Sequence, residues 1–510
     1  MPFSSPIFLF ILFPFFLLVS VLSLVCYNRE LVVSTYNNHF KELIYINKFL
    51  SVVIEIIREI GLFFFKVFNC IFRFVKLDFI YNYATSDNIK TQNFIIFFIN
   101  FFFYAFAGVK SIGIVIPICL INYIGGLIVE RIKYKRIALW FFIIINLSIL
   151  SFYKYFSKYY GIIAPIGISF ITFRLISYIC DIYYNKNKAQ YNLFNFIQYV
   201  MFFPQVISGP IMRYGDFNSQ LQGRKIVFDD VIIGVKKFIF GFAKKVIIAD
   251  KLGLVVDKIF KLQTTEYGSF IAWVGILFYS MQLYYDFSGY CDMAIGFGKI
   301  LGFNTPENFN YPYISKSITE FWRRWHITLG SWFKDYLYIP LGGNRVSKIR
   351  MYFNLWIVFL ATGIWHGNTL NFLIWGVIHG VFIVIEKATN LNKDKNNKIL
   401  TAIQHFYCLS VILFSWIIFR SPSLQYAIDY IKNMFGILKL AEADVLSPIF
   451  ISKFDYIIFV IACLFVVPIF KNFINKKNNL VMNILLVIIF VVSISFATTN
   501  TYQAFLYFQF

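Results

Sequence analysis

Residues 352–385 read YFNLWIVFLATGIWHGNTLNFLIWGVIHGVFIVI. Two apolar runs, Tyr352–Trp365 and Leu370–Ile385, flank a short polar joint, and no charged side chain interrupts either. A membrane span takes about 20 predominantly apolar residues, which each run reaches with modest extension. Comparable runs occur at Phe94–Gly108, Ile112–Ile128, Ala138–Tyr153, Tyr407–Phe419, Tyr456–Phe470 and Leu480–Ala497. Only 14% of the 510 residues are charged, against roughly a quarter in soluble proteins. The pattern predicts an all-α, polytopic integral membrane protein with about 11 to 13 membrane helices, some short or re-entrant.

The first apolar run, Ile7–Val25, reads as a retained span. Met1–Pro6 carries no basic side chain, and Val25 is not the small residue that precedes a signal-peptide cleavage point. Residues 27–92 are less regular. Between Val52 and Val75 charges recur at helical intervals, as in an amphipathic helix lying in the interface. The chain therefore divides into an N-terminal span plus interfacial segment, 1–92, and a core, 93–510.

Lys and Arg total 47 against 25 acidic residues, a formal charge of +22. In a soluble protein this would suggest nucleic acid. Here the charges sit in short loops between spans, so the positive-inside effect is the simpler cause and no nucleic-acid partner is expected. The basic loops Glu130–Arg136, Asn185–Lys188, Lys387–Lys398 and Lys471–Lys477 are assigned to the cytoplasm. Such a rim could also attract a phosphorylated donor. The seven cysteines lie scattered in or beside apolar segments, with neither a disulfide pattern nor metal-ligand spacing.

Between Phe202 and Asn344 the chain is rich in Pro, Gly and charge, yet it lies between spans. Irregular backbone at membrane depth is tolerated only where protein buries it or it lines a watery cavity. Ionisable groups there point to function. Asp286 and Ser288 belong to this centre, and with Trp325, Trp365 and Asn368 they are candidates for lining a substrate path.

Of the five histidines, His39 lies in a polar loop, His405 opens a span and is expected at the interface, and His379 lies in an apolar run that fits a helix-packing hydrogen bond at least as well as catalysis. His326 lies in Phe321-Trp322-Arg323-Arg324-Trp325-His326-Ile327-Thr328-Leu329. If this is a helix, Trp322, Trp325, His326 and Leu329 share one face while Arg323 and Arg324 point away. Desolvation and neighbouring like charge would then disfavour the imidazolium and leave a neutral base. An interfacial anchor with an incidental histidine fits the same spacing. His366 lies in Gly363-Ile364-Trp365-His366-Gly367 between two apolar runs. A histidine at that depth needs a partner or a cavity, and the flanking glycines permit close approach of a substrate or a helix. A structural histidine bonding across helices is the alternative. Only the fold could join the two, 40 residues apart.

Other catalytic signatures are missing. Gly167-Ile168-Ser169-Phe170-Ile171 lacks the second glycine of a nucleophile elbow. Neither a P-loop nor a dinucleotide fingerprint opens a helix, and no histidine pair has zinc spacing. Asp286 and Asp292, six apart, would fall on different helix faces.

Several stretches together resemble the membrane-bound O-acyltransferase family, in its alginate- and peptidoglycan-acetylating branch. They are Pro165–Phe170, Phe203-Pro204-Gln205 through Ser208–Tyr214, Tyr285–Tyr290, Phe321–His326 continuing through Trp332–Arg345, Gly363–Gly367 and the tail Phe505–Phe510. The resemblance covers residues 94–510. It implies a bundle of helices around a thinned centre pierced by a tunnel, with the histidine at 366 catalytic and that at 326 its companion. It also implies a multi-pass protein of the inner (cytoplasmic) membrane. The donor would be acetyl-coenzyme A or another acyl thioester, with no bound cofactor and no metal. An extracytoplasmic acetyltransferase of the SGNH type would receive the group, and a cell-surface glycan would be the final acceptor. The Leu341–Arg345 continuation differs from the branch that D-alanylates teichoic acid. Two other readings compete: a conduit for acyl groups without chemistry of its own, and a lipid or protein acyltransferase.

Overall fold

The computed structural model describes residues 89–391, 397–440, 451–468 and 480–499. Ile7–Val25, the interfacial segment up to residue 88, His39, Lys471–Lys477 and Phe505–Phe510 lie outside the described residues. Helices and their connections make up the described chain, with no strand among the described residues. In order they are α1 Ile89–Ala107, α2 Val109–Arg131, α3 Lys135–Ser151, α4 Ile168–Tyr183, α5 Leu193–Met201, α6 Phe203–Val206, α7 Tyr214–Gly223, α8 Phe228–Ala243, α9 Asp250–Lys261 and α10 Ser269–Ile300. There follow α11 Ile318–Arg324, α12 Ile327–Phe333, α13 Lys348–His366, α14 Leu370–Thr389, α15 Lys398–Arg420, α16 Leu424–Met434, α17 Lys453–Phe465 and α18 Leu480–Thr499.

Five of these segments are long and apolar enough to cross a membrane: Val109–Arg131, Lys135–Phe156, Leu370–Thr389, Lys398–Arg420 and Val481–Thr499. Their outward faces stay apolar, with Phe141, Ile144 and Leu147 on α3 and Ile484, Val487 and Val491 on α18 all exposed. Water would penalise that surface, and lipid does not. Between α2 and α3 the contact is polar instead. Asn122 Nδ2 donates to Asn146 Oδ1 at 3.1 Å and Asn146 Nδ2 to Asn122 Oδ1 at 2.7 Å, a reciprocal bond that locks two spans in register.

The centre is built around two enclosed helices. α10 runs 32 residues and is buried on nearly every face, as expected of a helix apolar all round. In α4 every residue from Ile168 to Ile182 is buried, including Arg174 at 1% exposure. Its guanidinium donates to the carbonyls of Tyr199 and Val200 at the end of α5 and to Gln205 Oε1, each at 3.0 Å. A cation there satisfies carbonyls that a helix end leaves open.

Tight backbone contacts join the irregular segments. Gly167 has φ +72°, and a Cβ placed there would lie 1.9 Å from the Val206 carbonyl oxygen. Gly363 of α13 and Gly376 of α14 pack against the backbone of the facing helix, where a Cβ would meet carbonyl oxygens at 2.5 and 2.4 Å. Gly363, three residues before His366, therefore serves close helix approach.

A Gly167→Ala substitution should destabilise the protein well beyond the roughly 1–2 kcal/mol cost of a left-handed alanine, because backbone must also move. Gly161→Ala, with φ +65° and nothing within 4 Å, should incur that conformational cost alone. Thermal unfolding of both variants in detergent tests this; equal losses would contradict it.

Candidate active site

The 321–329 segment is not one helix. α11 ends at Arg324, Trp325 is extended, and His326 has φ 47° and ψ 50° before α12 begins. The face expected from the spacing nevertheless turns inward, with Trp325, His326 and Leu329 buried and Arg323 exposed. Helical periodicity identified which side chains are enclosed, whereas the left-handed break decides where the imidazole points. Arg324 is bound by Glu320 at 2.8 Å and by the Asn310 carbonyl at 3.0 Å. Desolvation alone, with no contribution from the neighbouring arginines, pushes the His326 pKa below the ordinary histidine value.

Asn308 holds the break in place. Its Oδ1 accepts from Thr328 N at 3.1 Å and from Thr328 Oγ1 at 2.9 Å, and it lies 3.2 Å from His326 Nδ1. A backbone N–H can only donate, so this atom of Asn308 is the carbonyl oxygen. His326 Nδ1 must then carry the proton, and Nε2 keeps the lone pair. The Asn308 backbone oxygen accepts from Ile327 N at 3.0 Å, and Nδ2 donates to Cys291 Sγ of α10 at 3.2 Å. Thr328 Oγ1 also accepts from Ile211 N at 3.0 Å, which ties the Ser208–Tyr214 stretch to the same point.

His366 ends α13 inside a cage of rings. Its centroid lies 4.6 Å from Trp365, 5.0 Å from Trp375 and 5.1 Å from Phe419. Trp365 also stands 6.5 Å from the His326 ring, and Phe170 of α4 faces both, at 6.3 Å from His326 and 6.3 Å from Trp365. One indole therefore lies beside two buried imidazoles. His379 touches the cage through Trp375 at 4.8 Å, and its Nδ1 accepts from Trp322 Nε1 at 3.2 Å. This is the helix-packing bond expected for it. His405 does not merely face the interface: its Nδ1 lies 2.9 Å from the Ser315 carbonyl.

Of the lining candidates, Trp365 meets both histidines, and Ser288 lines a cavity of about 970 Å³. Trp325 packs between Phe321, Phe309 and Trp416. Asn368 is exposed in the bend after His366. Asp286 Oδ1 is 2.7 Å from Lys245, whose Nζ is also 2.6 Å from Asp250, all three side chains being at most 7% exposed. This triad fastens the π turn Lys244–Ala249 to α10. Asp292 pairs separately with Lys244 at 2.5 Å and Lys237 at 3.6 Å, as its different helix face required.

The cavity reaches Asn308 and Ile327 beside His326. Lys236, Lys237, Lys244 and Lys299 line it against Asp229, Asp292 and Glu307, leaving one net positive charge, with apolar walls from Ile247, Ile461 and Phe465. Hydrogen-bonded contacts run from the Glu130–Arg136 loop through the 189–224 segment toward its Lys299 end. Glu130 accepts from Ala189 N at 3.1 Å, Gln190 binds Tyr214 at 3.0 Å, and Arg224 Nε donates to the Leu301 carbonyl at 3.1 Å. No group of three or more metal-ligating side chains occurs among the described residues.

Asn308, Lys245 and Arg174 escaped the sequence reading. The two charges could have been found as ionisable residues within apolar surroundings. Nothing in Thr305-Pro306-Glu307-Asn308-Phe309-Asn310 marks one asparagine over the other.

Residues 183–428 match the model of the membrane-bound O-acyltransferase family. A protein of Pseudomonas aeruginosa described as a probable alginate O-acetylase AlgI is 38% identical over 379 residues, covering 70% of this chain and 72% of the relative. The peptidoglycan O-acetyltransferase of Helicobacter pylori is 36% identical over 385 residues, covering 66% and 72%. Identity to the teichoic acid D-alanyltransferase of Bacillus subtilis is 31% over 279 residues, covering 50% and 70%. A conduit without chemistry is thereby set aside, and the chain belongs to the membrane-bound O-acyltransferase family as a multi-pass membrane O-acyltransferase.

Proposed function

We propose that this enzyme takes an acetyl group from a cytoplasmic acyl thioester such as acetyl-coenzyme A and delivers it through the inner membrane for O-acetylation of a cell-surface polysaccharide. The observation that supports the reading is the pair of buried imidazoles that both lie against Trp365, with a cavity that reaches Asn308 and Ile327 beside one of them. The thioester enters this cavity, its apolar arm along Ile247 and Ile461 and its phosphates at the mouth beside Lys236. His326 holds the donor end, its Nε2 lone pair fixed in direction by Asn308. His366, against the same indole, receives the acceptor.

The hydroxyl oxygen attacks the thioester carbonyl as His366 takes its proton. Collapse breaks the carbon–sulfur bond, and the proton passes to the departing thiolate, giving an ester and a free thiol. General-base assistance contributes about 10²–10⁴-fold, and alignment within an enclosed site supplies much of the rest. An extracytoplasmic partner of the SGNH type then carries the group to the glycan. The similarity to proteins described as acetylating alginate and peptidoglycan supports a surface glycan over a lipid or protein acceptor.

His366→Ala should abolish surface O-acetyl esters while the protein still inserts, measured by ester content in a deletion strain carrying the variant; retained esters would defeat the assignment. Asn308→Ala should lower turnover by about 10²-fold, the cost of a misplaced positioning group, since His326 loses the acceptor that sets its tautomer; unchanged turnover at equal folded protein would contradict this. Lys236→Glu should raise KM for acetyl-coenzyme A roughly fivefold, about 1 kcal/mol, with kcat preserved. A fall in kcat alone would argue against a donor contact.

A further inference from the structure

Lys154 sits in the π turn Phe152–Phe156 that continues α3. Single π turns in helices recur at functional sites, because the extra residue re-aims a side chain. The Lys154 Nζ is buried and meets no hydrogen-bond acceptor among the described residues. Its one described contact is the face of Trp365, 5.1 Å from the ring centroid. The turn is fastened beside the catalytic histidine, because the Tyr155 hydroxyl donates to the Ile364 carbonyl, one residue before Trp365. The same Trp365 ring packs on the His366 imidazole, 4.6 Å away.

Lys245, by contrast, is held between two carboxylates. Among the described residues the Lys154 ammonium meets a π face alone, worth about 2 kcal/mol when desolvated, against a cost of several kcal/mol for taking an ion out of water. The indole N–H groups of Trp365 and Trp375, both rings packed on His366, are likewise buried with no acceptor among the described residues. The cage therefore holds an excess of donors and a positive charge, an arrangement that suits an anion formed there transiently.

We propose that Lys154 is a catalytic residue that stabilises the oxyanion of acyl transfer. When the hydroxyl oxygen bonds to the thioester carbon, the carbonyl π pair moves onto oxygen, and the Lys154 ammonium, with the neighbouring indole donors, receives that charge. When the carbon–sulfur bond breaks, the pair returns to re-form the carbonyl, so the lysine gains and loses no proton. This rests on the acyl-transfer reading with His366 as base. Removing one such donor costs about 10²–10³-fold in turnover.

The test uses the full chain in a deletion strain, with surface O-acetyl esters measured at matched membrane abundance, and the purified protein, with thiol release from labelled acetyl-coenzyme A and thermal unfolding. Lys154→Met keeps the aliphatic stem on Trp365 and removes the charge. Expected are a 10²-fold or greater fall in turnover, KM for the donor within about threefold, and an unfolding temperature unchanged or raised, since an uncompensated buried ion has been removed. A purely structural lysine would instead lower that temperature and leave turnover per folded molecule intact, which overturns the proposal. If Lys154→Met does not accumulate, Lys154→Arg and Lys154→Gln decide. Turnover in the order wild type, Arg, then far lower Gln supports a charge requirement; Gln equal to wild type, or Arg and Gln equally depressed, overturns it. Activity in His366→Ala would instead mark failure of the underlying acyl-transfer reading, whatever Lys154 does.

Discussion

The Asn308 carboxamide holds the centre of this enzyme together. A left-handed backbone at His326 costs roughly 1–2 kcal/mol and persists because one side chain satisfies everything the break exposes. Thr328 N, Thr328 Oγ1 and His326 Nδ1 all meet the same oxygen, while the amide nitrogen binds Cys291 on α10. Buried polar groups left without partners cost about 1–3 kcal/mol each, so this network also fixes which tautomer His326 adopts. Through Thr328 it continues to Ile211, so the geometry of several separate loops becomes a single structural requirement.

Charge placement around this hub follows the same accounting of desolvation against contacts. Lys245 is enclosed with Asp250 and Asp286, and Lys244 with Asp292; these pairs pin the π turn to the long central helix. Near the other histidine the protein surrounds His366 with aromatic rings instead. Rings exclude water without competing for hydrogen bonds, which strengthens the electrostatic effect of any charge that remains. The two histidines thus occupy different environments, one wired into an amide network and one held in an aromatic cage, with Trp365 against both.

The sequence reading fared unevenly along the chain. The run 352–385 yields α13 and α14 as two helices meeting at the polar joint, with His366 on the last turn of the first. The three-and-four spacing at 322–329 identified Trp325, His326 and Leu329 as buried, while Trp322 is only half-buried, Thr328 is enclosed as well, and the backbone is not one helix. Periodicity records which residues prefer enclosure, and a helix and a well-packed break can enclose the same set. The glycines beside His366 were open to two uses, and packing against Phe372 and Gly376 decided for helix approach. His405, the half-buried eighth residue of α15, reaches inward to the Ser315 carbonyl because the helix begins at Lys398 and sets it well inside the span.

By itself, the sequence determined that this protein lives in a membrane, is built of helices, and keeps its polar residues in an irregular centre. Hydrophobic length and charge content suffice for that, since a bilayer accepts few alternatives. Recurring motifs gave it a family. Tertiary structure alone decided that His326 and His366 share one indole, that Asn308 rather than Asn310 orients the first, and that Lys154 of a distant span comes to rest over Trp365. Those contacts join residues far apart in the chain, and no local preference encodes a distance set by how whole helices pack.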